Sequence, residues 1–234
     1  MPEIKLSARL ETAASMVGEG SIADVGTDHA LLPIKLVLDG HEGALASDIN
    51  EGPCQRARNN ISRYGLDGRI SVVCRPGLDM IEDFAPDNIV ICGMGGELIA
   101  SILADSDYPK SSRCRLVLQP MSMQDVLRKY LCREGYEITD ERVIFDEGKY
   151  YQLIAAHYDG VPRQLSECEY RLGRLNLARA EAGLSEVDRG WLEFVGRAAK
   201  RRMDGRSAAA NPDEAGQRLD AELTALINRL LNSF

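Results

Sequence analysis

Apolar positions along the chain follow two rhythms. Short continuous apolar runs occur at Ile22–Val25, Ala44–Asp48, Arg69–Cys74, Asn88–Cys92 and Arg115–Leu118. Each is four to six residues long and is bounded by glycine, proline or charged residues, as expected for buried strands. Between them, apolar residues recur at helical spacing. Leu6, Leu10, Ala13, Ala14 and Val17 share one face of an opening helix. Further helices are predicted at Leu31–Leu38, from Asn50 to Tyr64, over Glu97–Leu103 and over Asp125–Glu134. Gly65 and Gly135 stand where helices stop, and Pro53 suits a first turn. Two longer segments, Glu137–Phe145 and Tyr150–Tyr158, flank Asp146-Glu147-Gly148-Lys149 and read as a β-hairpin. Strands alternating with helices predict an α/β fold with a mostly parallel sheet covered on both faces.

The rhythm changes near Gly160-Val161-Pro162. Strand patterns stop, and Leu165–Leu184, Glu186–Met203 and Asp213–Leu231 read as helices. Leu219, Leu223, Leu226, Ile227, Leu230 and Leu231 form one apolar stripe, and Leu192, Val195 and Ala199 another. Asp204–Pro212 reads as a polar, small-residue linker, so the last two helices predict an antiparallel hairpin or coiled coil. Two regions follow: residues 1–160 as the α/β domain and residues 161–234 as a helical coiled-coil extension.

Parallel sheets bind ligands outside the carboxyl ends of their strands. Here those ends are Asp24-Val25-Gly26, Asp48-Ile49, Arg75-Pro76-Gly77, Gly93-Met94-Gly95-Gly96 and Gln119-Pro120. The first strand runs into a glycine turn and then a helix, which lets backbone approach a ligand closely. About twenty residues later Asp48 ends the second strand, where a carboxylate can take both hydroxyls of a ribose. Only Gly26 of a G-x-G-x-x-G triplet is present, so no pyrophosphate site is indicated. Asp28 reads either as an N-cap for the helix near Ala30 or as a group of the site. His29 reads either as a helix-start histidine bonded to backbone or as a ligand contact. Arg9 lies off the first helix's apolar stripe, as a solvated charge or a group at the pocket edge.

The formal net charge is −8, unevenly spread. Residues 1–160 hold 16 basic and 25 acidic side chains, and residues 161–234 hold 12 and 11. Arg171, Arg174, Arg179, Arg189, Arg197, Lys200, Arg201 and Arg202 give the helical region a possible basic face. The six cysteines, Cys54, Cys74, Cys92, Cys114, Cys132 and Cys168, form no C-x-x-C pair and suggest no metal site. They read as small buried hydrophobes in a reducing compartment. No apolar run is long enough for a bilayer and no leader pattern opens the chain, so a cytoplasmic protein without membrane contact is expected.

Several stretches together resemble one family. They are Leu6-Ser7-Ala8-Arg9-Leu10, Asp24-Val25-Gly26-Thr27-Asp28-His29-Ala30-Leu31-Leu32-Pro33, Gly52-Pro53, Gly77-Leu78, Cys92-Gly93-Met94-Gly95-Gly96 and Leu116-Val117-Leu118-Gln119-Pro120. The chain resembles the bacterial tRNA (adenine-22-N1)-methyltransferases, the TrmK family, over residues 1–160 and in its helical tail. The resemblance implies a Rossmann-like class I methyltransferase domain that binds S-adenosyl-L-methionine, with a C-terminal coiled coil. It implies tRNA as substrate, with neither DNA nor membrane as partner, and a monomer or weak homo-oligomer. It places the cofactor against Asp24, Gly26, Asp28, His29, Asp48, Ile49, Pro76, Gly77, Gly93, Met94 and Gly95. Asp28, His29 and Gln119 become catalytic candidates, and Arg9, Gly96, Pro120 and Ser122 substrate contacts.

Two positions depart from the family pattern. Pro76 stands where relatives often carry an acid or amide for the cofactor's adenine, and Met121-Ser122-Met123 stands where they often place an asparagine. Adenine binding then rests on backbone and apolar packing, and Gln119 or Ser122 must position the target base. N1 of adenine carries an in-plane lone pair and needs no deprotonation, so the site must supply in-line approach, exclusion of water and a carboxylate for the cationic product. Asp28 is the candidate carboxylate. Two other readings remain on the sequence: methylation of a small metabolite, which suits the acidic charge, and a non-catalytic cofactor- or RNA-binding protein.

Overall fold

The computed structural model describes residues 4–207 and 213–233. The chain divides into two compact units between Gln164 and Leu165. In the first, Ser7 caps helix α1 (Ala8–Met16) by accepting from Leu10 N at 3.4 Å. Strand β1 (Ile22–Val25) leads through a turn to α2 (Leu31–Leu38), β2 (Ala44–Asp48), α3 (Glu51–Arg63) and β3 (Ile70–Cys74). A 3-10 turn at Ile81–Asp83 precedes β4 (Asn88–Gly95), α4 (Gly96–Ala104), α5 (Tyr108–Ser112), β5 (Arg115–Ser122) and α6 (Gln124–Arg133). Strands β6 (Tyr136–Asp146) and β7 (Lys149–Tyr158) form the closing hairpin. The short α5, opened by Tyr108-Pro109, carries no periodic pattern and was not foreseen.

The seven strands are ordered β3-β2-β1-β4-β5-β7-β6. β1 to β5 pair in parallel, and β7 runs antiparallel to both β5 and β6. β1 is buried at every position and β2 and β4 along their first four residues, because helices cover both faces. Core residues of α1, α2 and α3 meet one face through Met16, Ile34, Val37 and Ile61. Those of α4 and α6 meet the other through Ile99, Leu103, Leu127 and Leu131. The order reverses between β1 and β4, which opens a crevice at their carboxyl ends.

β4 extends three residues beyond its expected end. Its pairing with β5 shifts register between Cys92 and Met94 and again between Met94 and Gly95. Gly93, at φ +82°, sits in this bulge. Cys54, Cys114 and Cys132 are buried as expected, but Cys74 is exposed, because it ends an edge strand.

In the second unit the expected helix over 165–184 is two helices. Ser166 and Glu169 form a capping box that starts α7 (Glu167–Leu172). Gly173, at φ +87°, breaks the run before α8 (Arg174–Ala182). α9 (Glu186–Ser207) continues through 204–207, which were expected as linker, and residues 208–212 lie outside the described residues. α10 (Glu214–Asn232) runs antiparallel to α9: Arg189 donates to Leu231 O, and Arg202 pairs with Asp220 at 2.6 Å. Leu223, Ile227 and Leu230 are the buried seam of α10. Asp220 is 2% exposed, and Arg202, itself still exposed, compensates that buried charge.

Candidate active site

A cavity of about 800 Å³ lies at the carboxyl ends of β1 to β4. Gly26, Asp48, Ile49, Pro76, Gly77 and Met94 line it, all foreseen as cofactor residues. The turn after β1 is fixed by backbone alone. Gly26 N and Thr27 N both donate to Ser47 O, at 2.8 and 2.9 Å. Gly26 has φ +83°, and a Cβ there would collide with the Met94 methyl. Asp48 accepts from Asn50 N at 2.8 Å through Oδ1, and among the described residues Oδ2 accepts no bond. Ile49 is 66% exposed beside it, an apolar group presented to the cavity. Leu98 and Ile102 of α4 complete an apolar wall, where a Cβ added at Gly77 would meet Ile102 at 3.4 Å.

Asp24 is not on that wall. It is buried behind the turn, and its carboxyl is pushed from 3.8 up to about 6. Burial is the main cause, and the nearby Asp48 charge adds to it. The Thr27 hydroxyl draws the value down, although Thr27 Oγ1 lies outside hydrogen-bond geometry and is itself a buried group with no partner. A poorly solvated carboxylate beside an unsatisfied hydroxyl favours an incoming cation with N–H donors.

The far side of the crevice is built from distant segments. Gln119 is fully buried and its amide is committed. Its Oε1 accepts from Arg9 Nη1 at 2.7 Å and from Gly93 N at 3.1 Å, while Nε2 donates to Pro120 O at 3.1 Å. Gln119 therefore does not reach a substrate directly; it reaches the crevice through Arg9. The Arg9 guanidinium also lies over the Tyr151 ring, 5.8 Å from its centroid, and Arg9 N donates to Asp146 Oδ2 at 3.0 Å. Arg9 is thus a positioned cation and not a solvated helix charge. Gly95 packs near Ser122 Oγ, and Gly96 opens α4 against the Met123 carbonyl. Pro120 is buried, whereas Met121, Ser122 and Met123 are exposed at the end of β5. Gly93 and Gly95 shape the β4 bulge and stand off the cavity wall.

Asp28 and His29 lie in an exposed loop, also off the wall. The N-cap of α2 is Ala30, in the left-handed region at φ +54°, and no side chain caps it. Asp28 is therefore not a helix cap. It pairs with Arg56 of α3 and lies 3.3 Å from His29 Nε2. The His29 carbonyl accepts from Asn60 Nδ2 at 2.9 Å, which ties the loop to α3.

A methyltransferase-domain family matches residues 6–154. The tRNA (adenine(22)-N(1))-methyltransferase of Bacillus subtilis (strain 168) is 38% identical over 170 residues, 69% of this chain and 71% of that protein. The chain belongs to this family. The crystal structure of the B. subtilis M1A22 tRNA methyltransferase TrmK superposes with a TM-score of 0.82 at 29% identity, covering 98% of this chain and all of that one. A Streptococcus pneumoniae structure in complex with S-adenosyl-L-methionine superposes with a TM-score of 0.81 at 30% identity, covering 97% and 100%.

The residues present fit the family's cofactor. Asp48 offers a free carboxylate oxygen to a diol, Gly26 leaves backbone access, the buried Asp24 lies near the unsatisfied Thr27 hydroxyl, and Ile49, Leu98 and Ile102 offer apolar surface to a purine. Sequence reasoning missed Leu98 and Ile102, Arg56, and the Asp146 and Tyr151 contacts to Arg9. An exposed leucine on an otherwise ordinary helix was the available signal for Leu98. The others become visible only when the chain is folded.

Proposed function

We propose that the chain transfers the methyl group of S-adenosyl-L-methionine to N1 of the adenine at position 22 of tRNA. The observation that carries this reading is a cavity of about 800 Å³ lined by Gly26, Asp48 and Gly77 at the strand ends, with a tethered cation, Arg9, held by Gln119 at the end of β5. When bound, the cofactor supplies an electrophilic methyl on a sulfonium. Asp48 holds the ribose hydroxyls through Oδ2, and Asp24, ionised, holds the amino group. Gly26 allows the methionine portion to lie against backbone. Pro76 has no side-chain acceptor for the adenine amino group, so the adenine is held by Ile49, Leu98 and the Gly77 backbone.

The target adenine must be flipped out of its stack to enter. Gln119, itself bonded by Gly93 N, and the Tyr151 ring hold Arg9, whose guanidinium takes the phosphate or base edge of the flipped nucleotide. Ser122, with the Pro120 and Gly96 backbone, bounds the base. Asp28 supplies negative charge for the cationic product and His29 a ring nitrogen to orient it. The Arg56 pair limits how much of the Asp28 charge is available. We assign residues 1–160 to catalysis and residues 161–234 to a helical extension. The chain works as a monomer or weak homo-oligomer in the cytoplasm, on RNA and not DNA. No described helix is long and apolar enough to cross a membrane.

The test is incubation with labelled S-adenosyl-L-methionine and unmodified bacterial tRNA, followed by nucleoside analysis and primer extension. The expected result is 1-methyladenosine with a reverse-transcription stop at position 22. Label elsewhere would reject the site, and tight cofactor binding without label would reject the substrate.

A further inference from the structure

We propose that the tip of the β6–β7 hairpin is a stacking platform for an unpaired base of the tRNA next to the target adenine, formed by the Phe145–Tyr150 ring pair. The proposal rests on the tRNA reading above. Phe145 is 51% exposed, on the edge strand of the sheet. It stands directly opposite Tyr150 in the hairpin register, with ring centroids 4.9 Å apart and planes tilted by 52°. The neighbouring apolar residues Val143, Leu153 and Ile154 are buried, so the hairpin does not lack core in which to place a phenylalanine. A large ring left on an edge strand invites aggregation and is costly unless it has a use.

Its position gives the use. Leu118 of β5 pairs with Ile154 of β7, and past that pair both strands continue toward the same end of the sheet, β5 to Ser122 and β7 to Lys149. The hairpin tip with Tyr150 therefore lies toward the crevice end. The hairpin turn is fastened to the crevice by Asp146, which accepts from Arg9 N. Tyr151, on the opposite face of the same hairpin, carries the Arg9 guanidinium. The tip therefore presents a bare ring on one face and a tethered cation on the other. Glu147 and Lys149 at the turn offset each other in charge, which leaves the Asp146 carboxylate, accepting from Arg9 N, as the net charge of the turn.

RNA-binding proteins hold splayed bases on aromatic rings largely irrespective of base identity. Extracting one adenine from a stacked helix also frees a face of its neighbour, which then needs a partner. Phe145, supported from beneath by Tyr150, supplies such a face. A protein partner or a second copy of this chain would also accept an exposed ring. Neither explains the attachment of the same hairpin to Arg9.

The test uses the full chain with unmodified tRNA, comparing wild type, Phe145→Ala and Phe145→Trp. Phe145→Ala is expected to raise the KM for tRNA roughly ten-fold, the scale of one lost base stack, with cofactor affinity unchanged. Phe145→Trp is expected to keep the wild-type KM. Its emission should also be quenched on tRNA addition, against a background from the single native tryptophan, Trp191, which is 2% exposed. An unchanged KM in Phe145→Ala overturns the proposal, as does equal impairment of both variants or a tryptophan unaffected by tRNA. A change of oligomeric state in Phe145→Ala with unchanged KM overturns it in favour of a self-association surface. Wild-type protein that binds cofactor but methylates no tRNA overturns the tRNA reading itself, a result separate from all of these.

Discussion

The two sides of the crevice are built on different principles. The cofactor side comes from the strand ends of β1 to β4 with α4, and its first turn is set by backbone, Gly26 and Thr27 on the Ser47 carbonyl, with Met94, Leu98 and Ile102 adding apolar surface. The base side is assembled from α1, the β4 bulge, β5 and the hairpin, and its geometry is set by side chains. Arg9 reaches Gln119 across 110 residues of sequence, and its backbone reaches Asp146 across 137. The difference predicts separable failures. Damage on the first side should appear as lost cofactor affinity, and damage on the second as lost turnover of tRNA with the cofactor still bound.

The sharpest way to break this contrast is Asp48→Ala. Loss of two charge-assisted hydrogen bonds should weaken S-adenosyl-L-methionine binding by about a hundred-fold or more, measured by calorimetry. Equal loss in Arg9→Ala would show that the two sides are not independent. Next in size is Gln119→Leu. It frees Arg9 and leaves Gly93 N without its acceptor, so kcat on tRNA should fall by roughly thirty- to a hundred-fold while cofactor affinity changes less than three-fold. A parallel loss of cofactor affinity would mean that Gln119 acts through the β4 bulge and not through Arg9.

Asp24 gives a subtler test because two effects oppose. Its folded-state value is raised, so the neutral form is the one favoured by folding. The stability it contributes is complete below pH 3.8 and is lost as pH rises through about 6. The interval corresponds to about 3 kcal/mol as an upper bound. Asp24→Asn should therefore stabilise the empty protein against urea at pH 7.5, by up to that amount, and do little at pH 3.5. The same variant should bind cofactor more weakly at pH 7.5. In wild type, affinity should fall as pH drops below 6, because the cation then competes with a proton. A flat binding profile between pH 5 and 8 would remove Asp24 from the site. The smallest expected effect is at His29, about half exposed in its loop: His29→Ala should lower kcat less than ten-fold and leave folding stability within about 0.5 kcal/mol.

The same contrast explains what could be read from the sequence. Strand ends, glycine turns and Asp48 are local features, so Gly26, Asp48, Ile49, Pro76 and Gly77 were legible as one lining. The parallel sheet followed from the strand–helix alternation, but its order, which reverses between β1 and β4, did not. Gln119 was legible as a strand-end amide, but its role was not, because its burial and its two donors depend on α1 and the β4 bulge. Asp28 misled as a helix cap: Ala30 adopts a left-handed conformation that carries the chain into α2 without any side-chain cap. In the helical unit, Gly173 broke a helix that apolar spacing alone would have continued. The Arg202–Asp220 ion pair between the last two helices was not legible, because it joins residues 18 apart on separate helices.

Gly96 has a consequence in evolutionary terms. Any side chain there would drive its first carbon into the Met123 carbonyl oxygen, closer than atoms approach, and into the Ser122 carbonyl beside it. The first turn of α4 and the turn that ends β5 are thus in direct backbone contact. Drift at either turn is filtered by the other, so the two stretches, one on the cofactor wall and one beneath the target base, are free to diverge only together. A lineage that changes the nucleotide it accepts by remodelling residues 121–123 must carry position 96 with it, or keep the glycine and confine its variation to the exposed side chains of Met121, Ser122 and Met123.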